Sequence, residues 1–179
     1  MSPIKTIFFG TPALSVPILD ALKQDAHFKI VLVVSQMAKP VGREQVEKNS
    51  AVAEYALQNQ LELFTPKSLR TPEALETLTK CEPDLLVVAA YGKIIPDDVL
   101  KVAQRGAINI HPSLLPKYRG ASPLQGVIAN QETTTGVSIM VMDEQMDHGS
   151  ILWQESEIIA ACDTQETLGQ RLFKKAAAA

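Results

Sequence analysis

Ile4-Lys5-Thr6-Ile7-Phe8-Phe9-Gly10-Thr11-Pro12 is the stretch on which the fold turns. A short, nearly unbroken apolar run stops at a glycine and a proline, which is the pattern of a strand covered on both faces. Phe28–Ser35 and Asp84–Tyr91 repeat it, and a shorter run, Ala107–Ile110, leads into His111. Between these runs, Pro12–Lys23, Ser50–Asn59, Pro72–Lys80 and Pro96–Ala103 read as helices. Pro12, Pro72 and Pro96 suit first helical positions, where a missing N–H costs little, and Ser50 and Thr71 suit N-caps. Strand alternating with helix predicts an α/β fold: a Rossmann-like, mostly parallel sheet with helices on both faces. From Gly136 the texture changes. Val137–Met142 and Ile151–Ile159 flank the polar connection Asp143–Ser150, which predicts an antiparallel edge near the C-terminal end, before a last helix over Thr164–Lys175.

A chain of 179 residues, 46% hydrophobic and 21% charged, is one globular unit. At this size about 70% of the surface is buried on folding, so the core needs no staples. The net charge of −3 excludes a generally basic nucleic-acid coat, so any RNA contact must be local. Cys81 and Cys162 form no CxxC pair, which fits a reduced, cytoplasmic setting. The three histidines show no paired ligand spacing, which argues against zinc. The N-terminus has no signal-peptide pattern, and no run approaches the ~20 apolar residues of a membrane span. Ala176–Ala179 stops mid-helix, so the protein is expected to continue beyond it.

The first strand–helix turn, Phe9-Gly10-Thr11-Pro12, lacks the glycines that let a backbone approach a pyrophosphate, and there is no Walker lysine. A dinucleotide or triphosphate cofactor is therefore disfavoured. Ligands of open α/β sheets sit beyond the carboxyl ends of the strands, which directs attention to Asn109-Ile110-His111-Pro112-Ser113-Leu114-Leu115-Pro116-Lys117-Tyr118-Arg119-Gly120. On a strand, Asn109 and His111 point the same way, and Pro112 ends that strand. An amide donor and an imidazole should converge there. Asp143-Glu144-Gln145-Met146-Asp147-His148-Gly149 gathers acidic groups around a tight turn, without calcium-loop spacing. Gln36–Asn49 is a long irregular stretch containing Lys39, Arg43, Glu44, Glu47 and Lys48, and loops of that length are usually functional or mobile.

Gly10-Thr11-Pro12, Ala90-Tyr91-Gly92-Lys93-Ile94-Ile95-Pro96, Asn109-Ile110-His111-Pro112-Ser113-Leu114-Leu115-Pro116 and Thr135-Gly136-Val137-Ser138-Ile139-Met140 together resemble the folate-dependent formyltransferases. Pro40-Val41-Gly42-Arg43 and Arg119-Gly120-Ala121-Ser122-Pro123 bring the resemblance closest to those members whose acceptor is initiator methionyl-tRNA. The resemblance runs from Ile4 to about Lys174. It implies 10-formyltetrahydrofolate as co-substrate, no metal, and a catalytic set of Asn109, His111 and Asp147. It also implies folate contacts at Tyr91, Gly92, Ile94, Ser113, Leu114, Leu115, Pro116, Met142 and Asp143, and tRNA contacts at Lys39, Arg43 and Lys48.

Two local departures stand out: Met37-Ala38 replaces the usual proline and aspartate, and His148 stands where a small residue is usual. Family members also carry a C-terminal β-barrel domain. Residues 1–179 are therefore expected to be the catalytic domain of a longer enzyme, monomeric and holding tRNA weakly by itself. An acceptor other than tRNA (a sugar nucleotide or glycinamide ribonucleotide), or folate binding without turnover, remain the alternatives.

Overall fold

A computed structural model of the chain describes residues 2–41 and 46–179. The chain opens with strand β1 (Ile4–Gly10), a 3-10 turn at Ala13–Ser15 and helix α1 (Val16–Gln24). Next come β2 (Phe28–Val34), β3 (Lys39–Val41), β4 (Val46–Lys48), α2 (Ala51–Gln58), β5 (Leu63–Phe64) and α3 (Pro72–Lys80). There follow β6 (Leu85–Ala89), α4 (Asp97–Leu100), β7 (Ala107–His111), α5 (Pro123–Ala129), β8 (Thr134–Val141), β9 (Ile151–Ile158) and α6 (Gln165–Ala178). Seven strands form one sheet in the order β5-β2-β1-β6-β7-β8-β9. Pairing is parallel from β5 to β7 and antiparallel for β7–β8 and β8–β9. The mostly parallel sheet with an antiparallel edge is thus as the sequence pattern predicts.

Side-chain alternation divides the core into two layers. Phe8, Val33, Val87, Ala89 and Ile110 face α1, α2, α5 and α6, where Leu19, Val52, Val127 and Leu172 meet them. Ile7, Phe9, Leu32, Val34, Leu86 and Val88 face the other way, onto Leu78 of α3 and Val99 of α4. Each such fully buried aliphatic or aromatic side chain contributes about 1.5–3 kcal/mol. Among the described residues this second layer meets β7 only at Ala107. Beyond that point the same face of β7 and β8 carries Asn109, His111, Met140 and Met142 into a cleft.

Several local expectations change in detail. Ser50 and Thr71 cap their helices through bonds from Ala53 N–H and Ala74 N–H, and Pro72 opens α3. Pro12 and Pro96 are instead extended residues ahead of their helices, with carbonyls that accept from Ser15 N–H and from Val99 and Leu100 N–H. Helix α4 stops at Leu100 rather than Ala103. Part of the stretch read as irregular, Gln36–Asn49, forms the β3–β4 hairpin, with Lys39 opposite Lys48. Helix α5 was not legible as a helix: it is one short stretch with Gly126 inside it, and only Pro123 in its first turn marks it.

The antiparallel edge is clasped to α6 by charge. Arg171 straddles Asp163, with Nη1 to Oδ1 at 2.6 Å and Nη2 to Oδ2 at 2.7 Å, and its Nε lies 3.2 Å from Glu157 of β9. The guanidinium beside Asp163 holds that carboxyl well below the usual carboxylate range. A carboxyl depressed by folding adds stability that is complete above its unfolded value, about 3.9, and that starts to be lost as pH falls past this value and goes on being lost down to the lower folded one. Asp163→Asn is therefore expected to lower the urea midpoint clearly at pH 6, with the gap to the unmodified chain narrowing between pH 5 and pH 3. A gap that stays constant over this range would mean that the ionised clasp contributes nothing to stability.

Candidate active site

Strand β7 ends at His111, where Pro112 withholds a further N–H. Asn109 and His111 share the face of β7 that the α3–α4 layer leaves open, so they lie on the floor of a cleft rather than above the strand tips. The cleft has a volume of about 1050 Å³. One wall is the Tyr91–Pro96 loop after β6, and the facing wall is the Met142–Asp147 turn between β8 and β9. Leu14, Arg70 and Gln125 also line it.

Asp147 closes the constellation from above. Its Oδ1 is 3.5 Å from Asn109 Nδ2, at the outer limit of a hydrogen bond, and its Oδ2 is 3.6 Å from His111 Nδ1. The firm contact is made by Gly120, whose N–H donates to Oδ2 at 2.7 Å. His111 is only 4% exposed, and its Nε2 lies 2.9 Å from the Tyr118 carbonyl. A carbonyl only accepts, so Nε2 carries a proton and donates. Nδ1 is left as the ring nitrogen that faces Asp147 and the cleft. Asp147 has φ +50°, a left-handed conformation that aspartate tolerates. Nearby, a Cβ at Gly149 would overlap the Val141 carbonyl oxygen, so close approach rather than an unusual dihedral explains that glycine.

The residues expected at the folate separate into two groups. Tyr91, Gly92, Ile94, Met142 and Asp143 line the cleft, with Ile94 70% exposed at its mouth. The loop holding the first three is fixed from outside: Thr11 Oγ1 and Gln36 Nε2 both donate to the Tyr91 carbonyl, and Lys93 Nζ donates to the Lys67 carbonyl. Tyr91 itself is buried edge-on against Phe9, which pushes its phenol up, and its hydroxyl has no partner among the described residues.

Ser113, Leu114, Leu115 and Pro116 do not line the cleft. They are stapled to the antiparallel strands through Ser138 of β8, which is fully buried. Ser138 Oγ donates to the Ser113 carbonyl and accepts from Leu115 N–H and Gln154 Nε2. Ser113 Oγ donates to the Lys117 carbonyl, and Leu114 packs where a Cβ on Gly136 would stand. These bonds fix the direction of the chain after β7.

Lys39 and Lys48 are exposed and directly opposed on the hairpin, and Arg43 lies outside the described residues. His148 turns away from Asp147, with Nδ1 3.0 Å from Asp143 Oδ2. That contact, followed by Gln145 N–H, holds the Asp143 carboxyl below its usual range. The Tyr118 carbonyl and the Gly120 N–H were not foreseen as site groups. They act through the main chain, where residue type carries little signal. Among the described residues, no group of three His, Cys, Asp or Glu side chains is arranged to hold a metal ion, and no helix is long and apolar enough to cross a membrane.

Residues 4–179 match the family described as formyl transferase. The chain is 44% identical over 167 residues to the methionyl-tRNA formyltransferase of Caldicellulosiruptor saccharolyticus, covering 93% of this chain and 54% of that protein. It is 45% identical over 172 residues to that of Thermus thermophilus, covering 96% and 56%. The chain thus spans about half the length of these curated relatives. Among solved structures, glycinamide ribonucleotide transformylase 1 from Geobacillus kaustophilus has a TM-score of 0.78 at 24% identity, covering 98% of this chain and 94% of that one. A sugar N-formyltransferase from a Shewanella species has a TM-score of 0.68 at 20% identity, covering 98% and 65%. At such identities the structural likeness shows the fold.

Two substitutions separate the structural and cleft roles. Ser138→Ala strands the Leu115 N–H and the Ser113 carbonyl in a buried place and is expected to cost about 2–3 kcal/mol by urea unfolding. Tyr91→Phe removes a hydroxyl without a partner among the described residues and is expected to leave stability unchanged or raise it by about 1 kcal/mol. A marked loss in Tyr91→Phe would mean that the phenol is hydrogen-bonded after all.

Proposed function

Starting from the fact that the chain belongs to the formyl transferase family, we propose that its cleft moves a formyl group from 10-formyltetrahydrofolate to the α-amine of initiator methionyl-tRNA. The observation that carries this reading is the convergence of Asn109, His111 and Asp147 on the floor of a two-walled cleft. The methionyl-tRNA formyltransferases similar to this chain support the choice of acceptor.

The cleft fits a long, partly aromatic donor. Val88, Ile95, Met140 and Met142 give it an apolar floor and flank, and the Tyr91–Pro96 and Met142–Asp147 walls offer main-chain groups to a ring edge. The formyl carbon would then lie beside Asn109 and His111. The attacking amine forms a C–N bond to that carbon, and the carbonyl electron pair moves onto oxygen. Asn109 Nδ2 donates to the resulting oxyanion, and so does Nδ1 of His111 when protonated, because Nε2 is committed to Tyr118. Asp147 faces Nδ1 and takes part in removing the proton from the amine. Collapse breaks the bond from the formyl carbon to the folate nitrogen, which takes up a proton. The products are the formylated amine and tetrahydrofolate.

On this reading residues 1–179 are a catalytic domain that works in the cytoplasm as a monomer. Lys39 and Lys48, with Arg43 between them in sequence, meet tRNA phosphates. A net charge of −3 and so few cations leave tRNA affinity low and strongly salt-dependent.

The test is a formyl-transfer assay on this chain with 10-formyltetrahydrofolate and methionyl-tRNA, beside Asn109→Ala and His111→Ala. Each variant is expected to lose about 10²-fold or more in kcat, the scale of one lost oxyanion donor. Glycinamide ribonucleotide and an amino-sugar nucleotide serve as competing acceptors, and faster transfer to either would reassign the substrate. A chain that binds folate and transfers nothing even at high tRNA would be a binding module.

A further inference from the structure

The segment Lys117–Gly120 lies outside the catalytic set, yet it grips both ionisable members of it. The Tyr118 carbonyl accepts a hydrogen bond from His111 Nε2–H at 2.9 Å, and two residues on, Gly120 N–H donates to Asp147 Oδ2 at 2.7 Å. The imidazole and carboxylate approach each other only to 3.6 Å, so each is held more firmly by this segment than by the other. The backbone there is unusual. Tyr118 has φ +57° and Gly120 φ +98°, and a left-handed tyrosine persists only where its surroundings over-determine it.

Those surroundings are the tyrosine's own ring contacts. Its hydroxyl donates to Glu132 Oε1 at 2.7 Å and accepts from Asn130 Nδ2 at 3.1 Å, just past the end of α5. Its ring edge lies against Gly126 of α5, where a Cβ would come within 2.8 Å of Cδ1 and 3.1 Å of Cε1. Any side chain at that glycine would displace the ring from this seat.

We propose that Tyr118 is a positioning residue for His111. Its ring, seated on Gly126 and pinned by Asn130 and Glu132, aims the main-chain carbonyl that keeps the Nε2 proton in place and leaves Nδ1 to face the reacting atoms. The role rests on the formyl-transfer reading for its catalytic meaning, although the imidazole geometry can be measured without turnover.

The experiment uses the 15N-labelled chain. Long-range proton–nitrogen spectra report which ring nitrogen of neutral His111 bears hydrogen, with His111→Gln identifying its signals, and steady-state formyl transfer is followed in parallel. The unmodified chain is expected to show the Nε2–H form alone. Tyr118→Gly, which frees the carbonyl, and Gly126→Ala, which displaces the ring, are expected to give mixed tautomers. Their kcat should fall about tenfold or more, with KM for the formyl donor within about twofold, because small misplacements of a catalytic group cost this much. Tyr118→Phe keeps the ring over Gly126 but loses the bonds to Asn130 and Glu132, and is expected to fall between the unmodified chain and Tyr118→Gly in both tautomer mixture and kcat. Folded Tyr118→Gly and Gly126→Ala proteins with unchanged His111 spectra would overturn the proposal, whatever their melting temperatures. Altered spectra in a chain that shows no turnover with any acceptor would uphold the positioning role and defeat the formyl-transfer reading instead.

Discussion

Everything at this site depends on where one helical layer stops. In a parallel sheet each strand must bury both faces, and here, among the described residues, α3 and α4 cover β1, β2 and β6 but meet β7 only at Ala107. The next positions on that face of β7 are Asn109 and His111, and opposite Asn109 on β8 stands Met140. A strand left uncovered on one face would ordinarily be polar and solvated. Two bounding segments, the Tyr91–Pro96 loop and the Met142–Asp147 turn, convert that exposed face into a cleft with donors on its floor. The opposite face of the same strands stays sealed by α5 and α6, through Val127, Val137 and Leu172. The site is therefore supported on a packed core directly beneath it, which keeps the floor rigid while the walls are loops.

The loop after β7 is held by polar groups rather than by apolar packing alone. Ser138, with no exposure, uses its hydroxyl three times: toward the Ser113 carbonyl, the Leu115 N–H and the Gln154 amide. Such a fully satisfied buried hydroxyl specifies one path for the chain, because any other path leaves main-chain groups unpaired. That path delivers the Tyr118 carbonyl beneath His111 and the Gly120 N–H beneath Asp147. The motif that resembles a family signature thus contains two kinds of residue. Asn109 and His111 face the cleft, while Ser113 to Pro116 tie the loop to β8 and β9.

Much of this was legible in the sequence because it is written in periodicity. The continuous apolar runs predict β1, β2, β6 and β7 within a residue or two at most ends, and the spacing after Gly136 predicts the antiparallel edge. The two-residue spacing of Asn109 and His111 predicts their shared face. What periodicity does not show has local causes. The β3–β4 hairpin is short, charged and proline-bearing, so it has no apolar alternation to read. Helix α5 has Gly126 in its middle, a residue that argues against a helix until Tyr118 is seen lying against it. Pro12 and Pro96 lie one position outside their expected places, because a proline just before a helix and one just inside it satisfy the same composition rule. Ser113–Pro116 pointed toward a ligand only through resemblance, and their bonds to β8 and β9 depend on partners that are distant in sequence.

The sheet's mixed pairing also orders its assembly in time. β8 and β9 are joined by a short turn, and β7 lies close before them in sequence. β1 and β6, the centre of the parallel region, pair residues such as Thr6 and Leu85 across a long excursion of chain. Loop closure costs more entropy over the longer separation, and non-local pairing slows folding. Asn109, His111 and Asp147 all belong to the local unit, whereas the wall at Tyr91–Pro96 is held through Thr11 and Gln36, 80 and 55 residues away from Tyr91 in sequence. These three side chains can thus approach their native arrangement early, and the cleft is complete only when β1 and β2 have paired into the sheet and brought Thr11 and Gln36 to its wall.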